Sequence, residues 1–348
     1  MRKHTFFIYR IICVVRLTKK YLFAILKKTL HEVLMRNYRD FSEALIYDRA
    51  IDGERLHPTP HPVFGGAWYH KVVSSADKWL GIEGVVTLPE VKLSRYKSER
   101  TNDFDVDPDV KSLDNPSVYL GGNAGFESDV GLSFSLGVLD KSKGLISKGC
   151  VAFRPFWRYI TEIDQDAGGY DQHEGRYSVS VNGDNCFANA HWKFTENYYL
   201  PGDKLKISVF SPCENKLRLY IEVLEKSTLE SSIALREKYG WGDPQDFESP
   251  IFTSFGHGAD NDAEFKRVNA IDQSGNEGGV AAPTETTVKN AIWHSTSLYR
   301  SIDGVIYRVP MNQTRHAVTN APHESAFEIE RGDSYDLGGE TVTIRPVK

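Results

Sequence analysis

The chain has 348 residues, 40% hydrophobic and 26% charged, with a formal net charge of −5; this is an ordinary globular composition and excludes global disorder. The charge is uneven: residues 1–36 carry nine Lys or Arg against one Glu, so the remainder stands near −13. An acidic body excludes phosphate-backbone binding, which needs clustered positive charge, and no nucleic-acid partner is expected.

The first segment is both basic and apolar, with "FFIYRIICVVRL" followed by "KKYLFAILKK". Arg10, Arg16 and Lys19–Lys20 cut it into pieces shorter than the ~18 apolar residues of a spanning helix, so no transmembrane span is expected. No small-residue cleavage site follows, which makes it a poor secretory signal. Three readings stay open: a degenerate targeting or membrane-surface helix, a packed N-terminal helix, or an upstream extension of a frame that starts at Met35. The expectation is a helical appendage over 1–36 beside a main domain over 37–348.

Further along, "DFDVDPDVKSLD" supplies Asp103, Asp105, Asp107, Asp109 and Asp114. Alternate carboxylates with a distal one suit Ca²⁺, which takes six to eight oxygen ligands. Pro108 stands where an EF-hand needs glycine, and the last acid is Asp rather than Glu. Ca²⁺ is therefore the one candidate cofactor, with an exposed acidic loop as its alternative.

From 150 to 225 the period is two. In "CVAFRPFWRYITEID" Val151, Phe153, Trp157, Tyr159 and Ile163 oppose Arg154, Arg158, Glu162 and Asp164. "RYSVSVNGD", "NAHWKF", "DKLKISVF" and "NKLRLYIEVLE" alternate likewise, placing Trp192, Ile207 and Ile221 on an apolar face and His191, Lys193, Lys206 and Arg218 on a polar one. Five amphipathic strands joined by "NGD", "LPGD" and "SPCEN" predict one antiparallel sheet with one wet face, which must bury its other face on a second sheet. "LESSIALREKYG" within the insertion 227–247 reads as one short helix ending at Gly240. Strands resume with "EFKRVNAID", "TTVKNAIWHSTSLYR", "GVIYRVPM", "AFEIER" and "ETVTIRP", and "DQSGNEGGVAAPTET" is a long exposed loop. The fold class expected is an all-β antiparallel sandwich of jelly-roll type with one short helical insertion and the N-terminal appendage.

Cys13, Cys150, Cys186 and Cys213 have no C-x-x-C spacing and make neither a disulfide framework nor a zinc site. G-x-S-x-G, H-E-x-x-H, P-loop and G-x-G-x-x-G motifs are absent. "VYLGGNAGFESDVGLSFSLG" followed by "YYLPGDKLKISVFSPCENKLRLYIEVLE" resembles the concanavalin-type jelly roll of lectins, laminin-G-like modules and many glucanases. "FKRVNAIDQSGNEG" with "PTETTVKNAIWHSTSLYR" is similar to a group of secreted, functionally uncharacterised bacterial proteins. The resemblance spans roughly residues 60–225, extended by 264–300.

That resemblance implies a glycan or cell-surface polymer as partner and an extracellular or cell-surface location, with a cytoplasmic one as alternative. Jelly-roll glycosidases carry Glu-x-Asp-x-Glu on one strand, and retaining chemistry needs carboxyls roughly 5–5.5 Å apart. Here the triplet is Glu162, Asp164 and Asp166, whose last member is one methylene short and runs into "AGGYDQHEG". The expectation is therefore a non-catalytic glycan- or polymer-binding protein, with Arg154, Arg158, Glu162, Asp164 and His191 on the ligand face. The alternatives are a polysaccharide hydrolase or lyase working around Glu162 and Asp164, and a structural or adhesive surface protein.

Overall fold

A computed structural model describes residues 35–95, 114–140, 144–160, 170–171, 176–181, 184–190, 197–273, 276 and 278–346. The chain divides into two units, Met1–Asn37 and Tyr38–Lys348, of which the second holds the sandwich. It is all-β. Its strands are β1 (Leu45–Ile46), β2 (Ala67–Ser74), β3 (Trp79–Thr87), β4 (Glu90–Lys92), β5 (Asp114–Asn123), β6 (Glu127–Asp140) and β7 (Gly144–Ile160). There follow β8 (Tyr170–Asp171), β9 (Arg176–Val181), β10 (Asp184–Ala190), β11 (Lys204–Phe210), β12 (Lys216–Glu225), β13 (Phe247–Glu248) and β14 (Phe252–Thr253). The last third adds β15 (Glu264–Gln273), β16 (Thr287–Ile302), β17 (Val305–Pro310), β18 (His316–Ala321), β19 (Phe327–Glu330) and β20 (Glu340–Ile344).

Two sheets result. One has nine strands in the order β18-β2-β15-β5-β6-β7-β10-β9-β8; the other has eleven, with β1-β17-β16-β3-β11-β12-β13 as its main path. The strands expected to form one sheet are divided: β7 and β9 belong to the first, β11 and β12 to the second, while "NAHWKF" overlaps only the end of β10 and otherwise lies outside the described residues. Alternation fixes which face of a strand is apolar but not which sheet receives it, so the local pattern survives and the single-sheet assignment does not.

Between the sheets lies one large apolar core. Trp68, Val118, Leu120, Val130, Leu132, Phe153 and Trp157 come from the nine-stranded side and meet Ile82, Val86, Leu205, Ile207, Leu219, Ile221 and Trp293. Trp157, Ile207 and Ile221 are buried as the alternation requires; Trp192 and Lys193 lie outside the described residues. Lys206 and Arg218 stay half-exposed on the opposite side.

A polar network interrupts this core near one end. The Arg267 guanidinium donates to Glu340 and to Thr296 Oγ1 at 2.8 Å, and lies 5.2 Å from the Trp293 ring. His70 Nε2 stands 2.8 Å from Glu340 Oε1. Burial raises the cost of the Glu340 charge, but Arg267 and His70 outweigh it and hold the carboxyl far below its ordinary range.

The insertion carries the expected helix, Glu230–Tyr239, closed by Gly240 in the left-handed region at φ 65°. It is tied down by Asp203, whose Oδ2 accepts from Leu200 N (2.7 Å) and Arg236 Nη2 (2.6 Å) and whose Oδ1 accepts from Ser227 N (2.7 Å). A second helix, Tyr38–Ser42, lays Phe41 against Phe210 and Tyr299 at ring separations of 4.5 and 4.9 Å. Both partner rings lie on the face of the eleven-stranded sheet turned away from the core.

Candidate functional site on the outer face of the nine-stranded sheet

Core residues alternate with others along β2, β15, β5, β6 and β7, and the second set lines the sheet's outer face. The registers place them in rows across the strands. One row reads Ala317, Val73, Lys266, Gly121, Asp129 and Arg158; the next reads Thr319, Lys71, Val268, Tyr119, Gly131 and Phe156. A third reads Ala321, Tyr69, Ala270, Ser117, Ser133 and Arg154. Beyond the Lys266 row, Glu264 and Glu127 flank Asn123.

The charged row is a network. Lys266 Nζ pairs with Glu127 and lies 2.5 Å from Asp129 Oδ1, while Arg158 donates to Asp129 Oδ2 from Nε (3.1 Å) and Nη2 (3.0 Å). Glycine makes the crossing possible: a Cβ at Gly121 would come within 1.9 Å of Ser128 O and 2.8 Å of Lys266 Cε. Burial raises the cost of the Asp129 carboxylate, but Lys266 and Arg158 outweigh it and hold its pKa below normal. Burial likewise disfavours the Lys266 ammonium, and Asp129 and Glu127 overcome it and hold its pKa above normal. Asp129 and Lys266 are thus both ionised. Glu127 is the member that reaches solvent, its side chain 40% exposed against 7% for Asp129.

Lys71 differs. It is 8% exposed, its Nζ lies 5.6 Å from the Tyr69 ring centroid, and it has no carboxylate within ion-pair distance among the described residues. Burial, reinforced by Lys266, lowers its pKa. The segment before β2 closes the face at this end. Phe64 N donates to Tyr69 Oη (2.8 Å), Thr319 Oγ1 reaches His61 O (3.5 Å), and His61 Nε2 lies 2.9 Å from Glu264 Oε2.

Of the expected ligand residues, Arg154 and Arg158 both lie on this face. Arg158 is held by Asp129, and Arg154 is buried with its guanidinium 5.9 Å from the Tyr198 ring. Glu162, Asp164 and His191 lie outside the described residues, as do Asp103, Asp105, Asp107 and Asp109. Asp114 is buried at the start of β5. Its carboxylate accepts from Arg95 Nη1 (3.0 Å), Gln273 Nε2 (3.2 Å), Thr286 Oγ1 (2.7 Å) and Thr284 Oγ1. Among the described residues no group of three or more His, Cys, Asp or Glu is placed to hold a metal, and no helix is long and apolar enough to cross a membrane.

Lys71, Glu127, Asp129 and Lys266 were not singled out by sequence reasoning. The alternation of "ESDVGLSF" marks Asp129 as outward-facing, but nothing local announces that residues 127–129 meet residue 266.

No protein-family model matches the chain, and no curated protein matches it. Among solved structures it is similar to scytalido-glutamic peptidase with a transition-state-analogue inhibitor. The match has 9% identity and a TM-score of 0.42, and it covers 81% of this chain and 98% of that one. A second structure of that peptidase, with a peptide-based analogue, matches at 9% identity and a TM-score of 0.40, over 80% of this chain and 98% of that one. SCP-B, a member of the eqolisin family of peptidases in complex with the tripeptide Ala-Ile-His, matches at 8% identity and a TM-score of 0.35, over 81% and 98%. These neighbours are peptidases, not lectins. The expectation of a non-catalytic glycan-binding protein therefore finds no support among the comparisons and is not kept, and of the concanavalin-type resemblance only the β-sandwich stands. No residue role passes from them to this chain.

Proposed function

We propose that the protein is an enzyme that hydrolyses extended polypeptides on the outer face of its nine-stranded sheet. The observation that carries this reading is the accessible Glu127 carboxylate paired to Lys266, whose ammonium is itself fixed by the buried Asp129. Amide hydrolysis needs a base to take a proton from water and positive charge near the developing oxyanion. Glu127 supplies the first. Lys266 and Arg158 supply the second, held in place by Asp129 instead of by mobile solvent.

The deciding experiment is release of peptides from unfolded casein. The wild-type protein should cleave it, and Glu127→Gln should lower the rate at least a hundredfold with an unchanged melting temperature. Absence of cleavage by the wild type, or full activity in Glu127→Gln, would sink the proposal.

A further inference from the structure

Amide hydrolysis needs two proton transfers, one away from the attacking water and one onto the leaving amine. Glu127 provides for the first. The cations beside it are poorly suited to the second. Burial works against the Lys266 ammonium, but Asp129 and Glu127 outweigh it and hold its pKa above normal, so it releases its proton reluctantly. The Arg158 guanidinium keeps its proton throughout. One row further along the face stands another carboxylate. Glu264 on β15 and Glu127 on β6 lie on either side of Asn123 on β5. His61 meets Glu264 from the segment before β2, its Nε2 2.9 Å from Oε2, and Asn123 Nδ2 donates to the same oxygen at 3.4 Å. These groups are open to solvent: the His61, Glu264 and Glu127 side chains are 24%, 22% and 40% exposed.

With one strand between them, the Glu264 and Glu127 backbones lie about 10 Å apart. That separation leaves room over Asn123 for one peptide group and one water. A histidine held through one ring nitrogen by a carboxylate presents the other in a set direction, which suits proton transfer near neutral pH. We propose that His61 is the proton donor to the leaving amine, with Glu264 as the residue that positions it and stabilises its cation. Glu127 takes a proton from water as the water oxygen bonds to the carbonyl carbon. The carbon–nitrogen bond then breaks, its electron pair goes to nitrogen, and nitrogen takes the proton of the His61 imidazolium. One proton passing from Glu127 to His61 through solvent restores both. The charged groups that share this face are Lys71 on β2, Glu264 and Lys266 on β15, Glu127 and Asp129 on β6, and Arg158 on β7. Of these, Glu264 is the one in contact with the imidazole. The assignment rests on the hydrolase reading above and completes its proton balance.

The test is the pH dependence of kcat/KM for casein cleavage by the full chain. The wild type should give a bell, its acid limb set by Glu127 and its alkaline limb by His61. His61→Gln should lower the rate about a hundredfold and remove the alkaline limb. Glu264→Gln takes a negative charge away from the imidazolium, so the alkaline limb should move to lower pH. A measurement on the unaltered protein guards against a misfolded variant. The His61 ¹³Cε1 resonance should titrate with the midpoint of the alkaline limb, and the two should move together in Glu264→Gln. A merely structural role for His61 would lower the rate without tying the limb to its titration. A rate and profile unchanged in His61→Gln, or a limb that stays fixed while the imidazole midpoint moves, would overturn the inference. The two proposals can be told apart. Cleavage that needs Glu127 but not His61 would remove the donor alone. No cleavage by the wild type, or full activity in Glu127→Gln, would remove the hydrolase and the donor with it.

Discussion

His257 sits in the inter-sheet interior with no exposed surface, its ring 5.1 Å from Phe265. A Cβ on Gly122 would come within 2.3 Å of that ring, so glycine makes the space it fills. Among the described residues neither ring nitrogen has a hydrogen-bond partner, and burial pushes the imidazole down to about 4. The unfolded chain binds this proton near pH 6.5 and the folded chain only near 4, so the unfolded state carries more protons between those values. Stability from His257 is therefore complete above about pH 6.5 and is lost as the pH falls toward 4. Between pH 7 and pH 5 the loss should be about 2 kcal/mol, from the 1.36 kcal/mol per pKa unit of linkage. Urea unfolding of wild type and His257→Phe at both pH values checks this. The difference between the two proteins should narrow by about that amount at pH 5, and parallel pH dependences would contradict it.

At the scale of elements, the helix Glu230–Tyr239 depends on one carboxylate. Asp203 joins the turn before β11, the segment after β12 and Arg236 on the helix through three hydrogen bonds. Burial raises its pKa even with Arg236 beside it, so the site carries a real desolvation cost. Asp203→Ala would leave the buried Leu200 and Ser227 amides without their acceptor and take the carboxylate from Arg236, whose guanidinium would keep only its bond to Gly242 O (3.0 Å), a loss of about 3–5 kcal/mol. Hydrogen exchange should show the helix amides losing protection before those of β11 and β12; uniform loss across all three would show that the helix is not separately anchored.

The same elements show what alternation conveys. Along β11, Leu205, Ile207 and Val209 are buried while Lys204 and Lys206 are half-exposed, as their spacing demands. Ser208 breaks the pattern: it is fully buried among the outward-facing residues because Tyr299 and the Tyr38–Ser42 helix occupy that side. β2 is buried on both faces along its whole length, so no period of two marks its edges. The site was legible only in halves. Arg154 and Arg158 could be placed on a polar face from their own strand. Lys71, Glu127, Asp129 and Lys266 come together only because β15 pairs with both β2 and β5. A contact between residues 127 and 266 leaves no trace in either local sequence.

For the molecule as a whole, the unit Tyr38–Lys348 should stand without the basic segment that precedes it. A chain beginning at Met35 is expected to keep the full-length melting temperature. A chain beginning at Leu45 loses Phe41, which is wholly buried against Phe210 and Tyr299. Removing a buried Phe costs about 3–5 kcal/mol, which at the 2–4 °C per kcal/mol typical of large domains is roughly 10 °C. Calorimetry on the two truncations separates the cases: a fall already at Met35 would show that the basic segment contributes to the sandwich.

The order of strands has a consequence for synthesis. β15 lies between β2 and β5, and β16 lies between β3 and β17, so each sheet is completed by strands that leave the ribosome late. Until residue 273 has emerged, β2 and β5 have no bonded neighbour on their facing edges. A nascent chain of two-thirds length therefore carries two unfinished sheets with open, apolar edges, the condition in which strands pair with the wrong molecule. Translation speed and chaperone supply then become determinants of yield, even for a sequence whose finished form is stable.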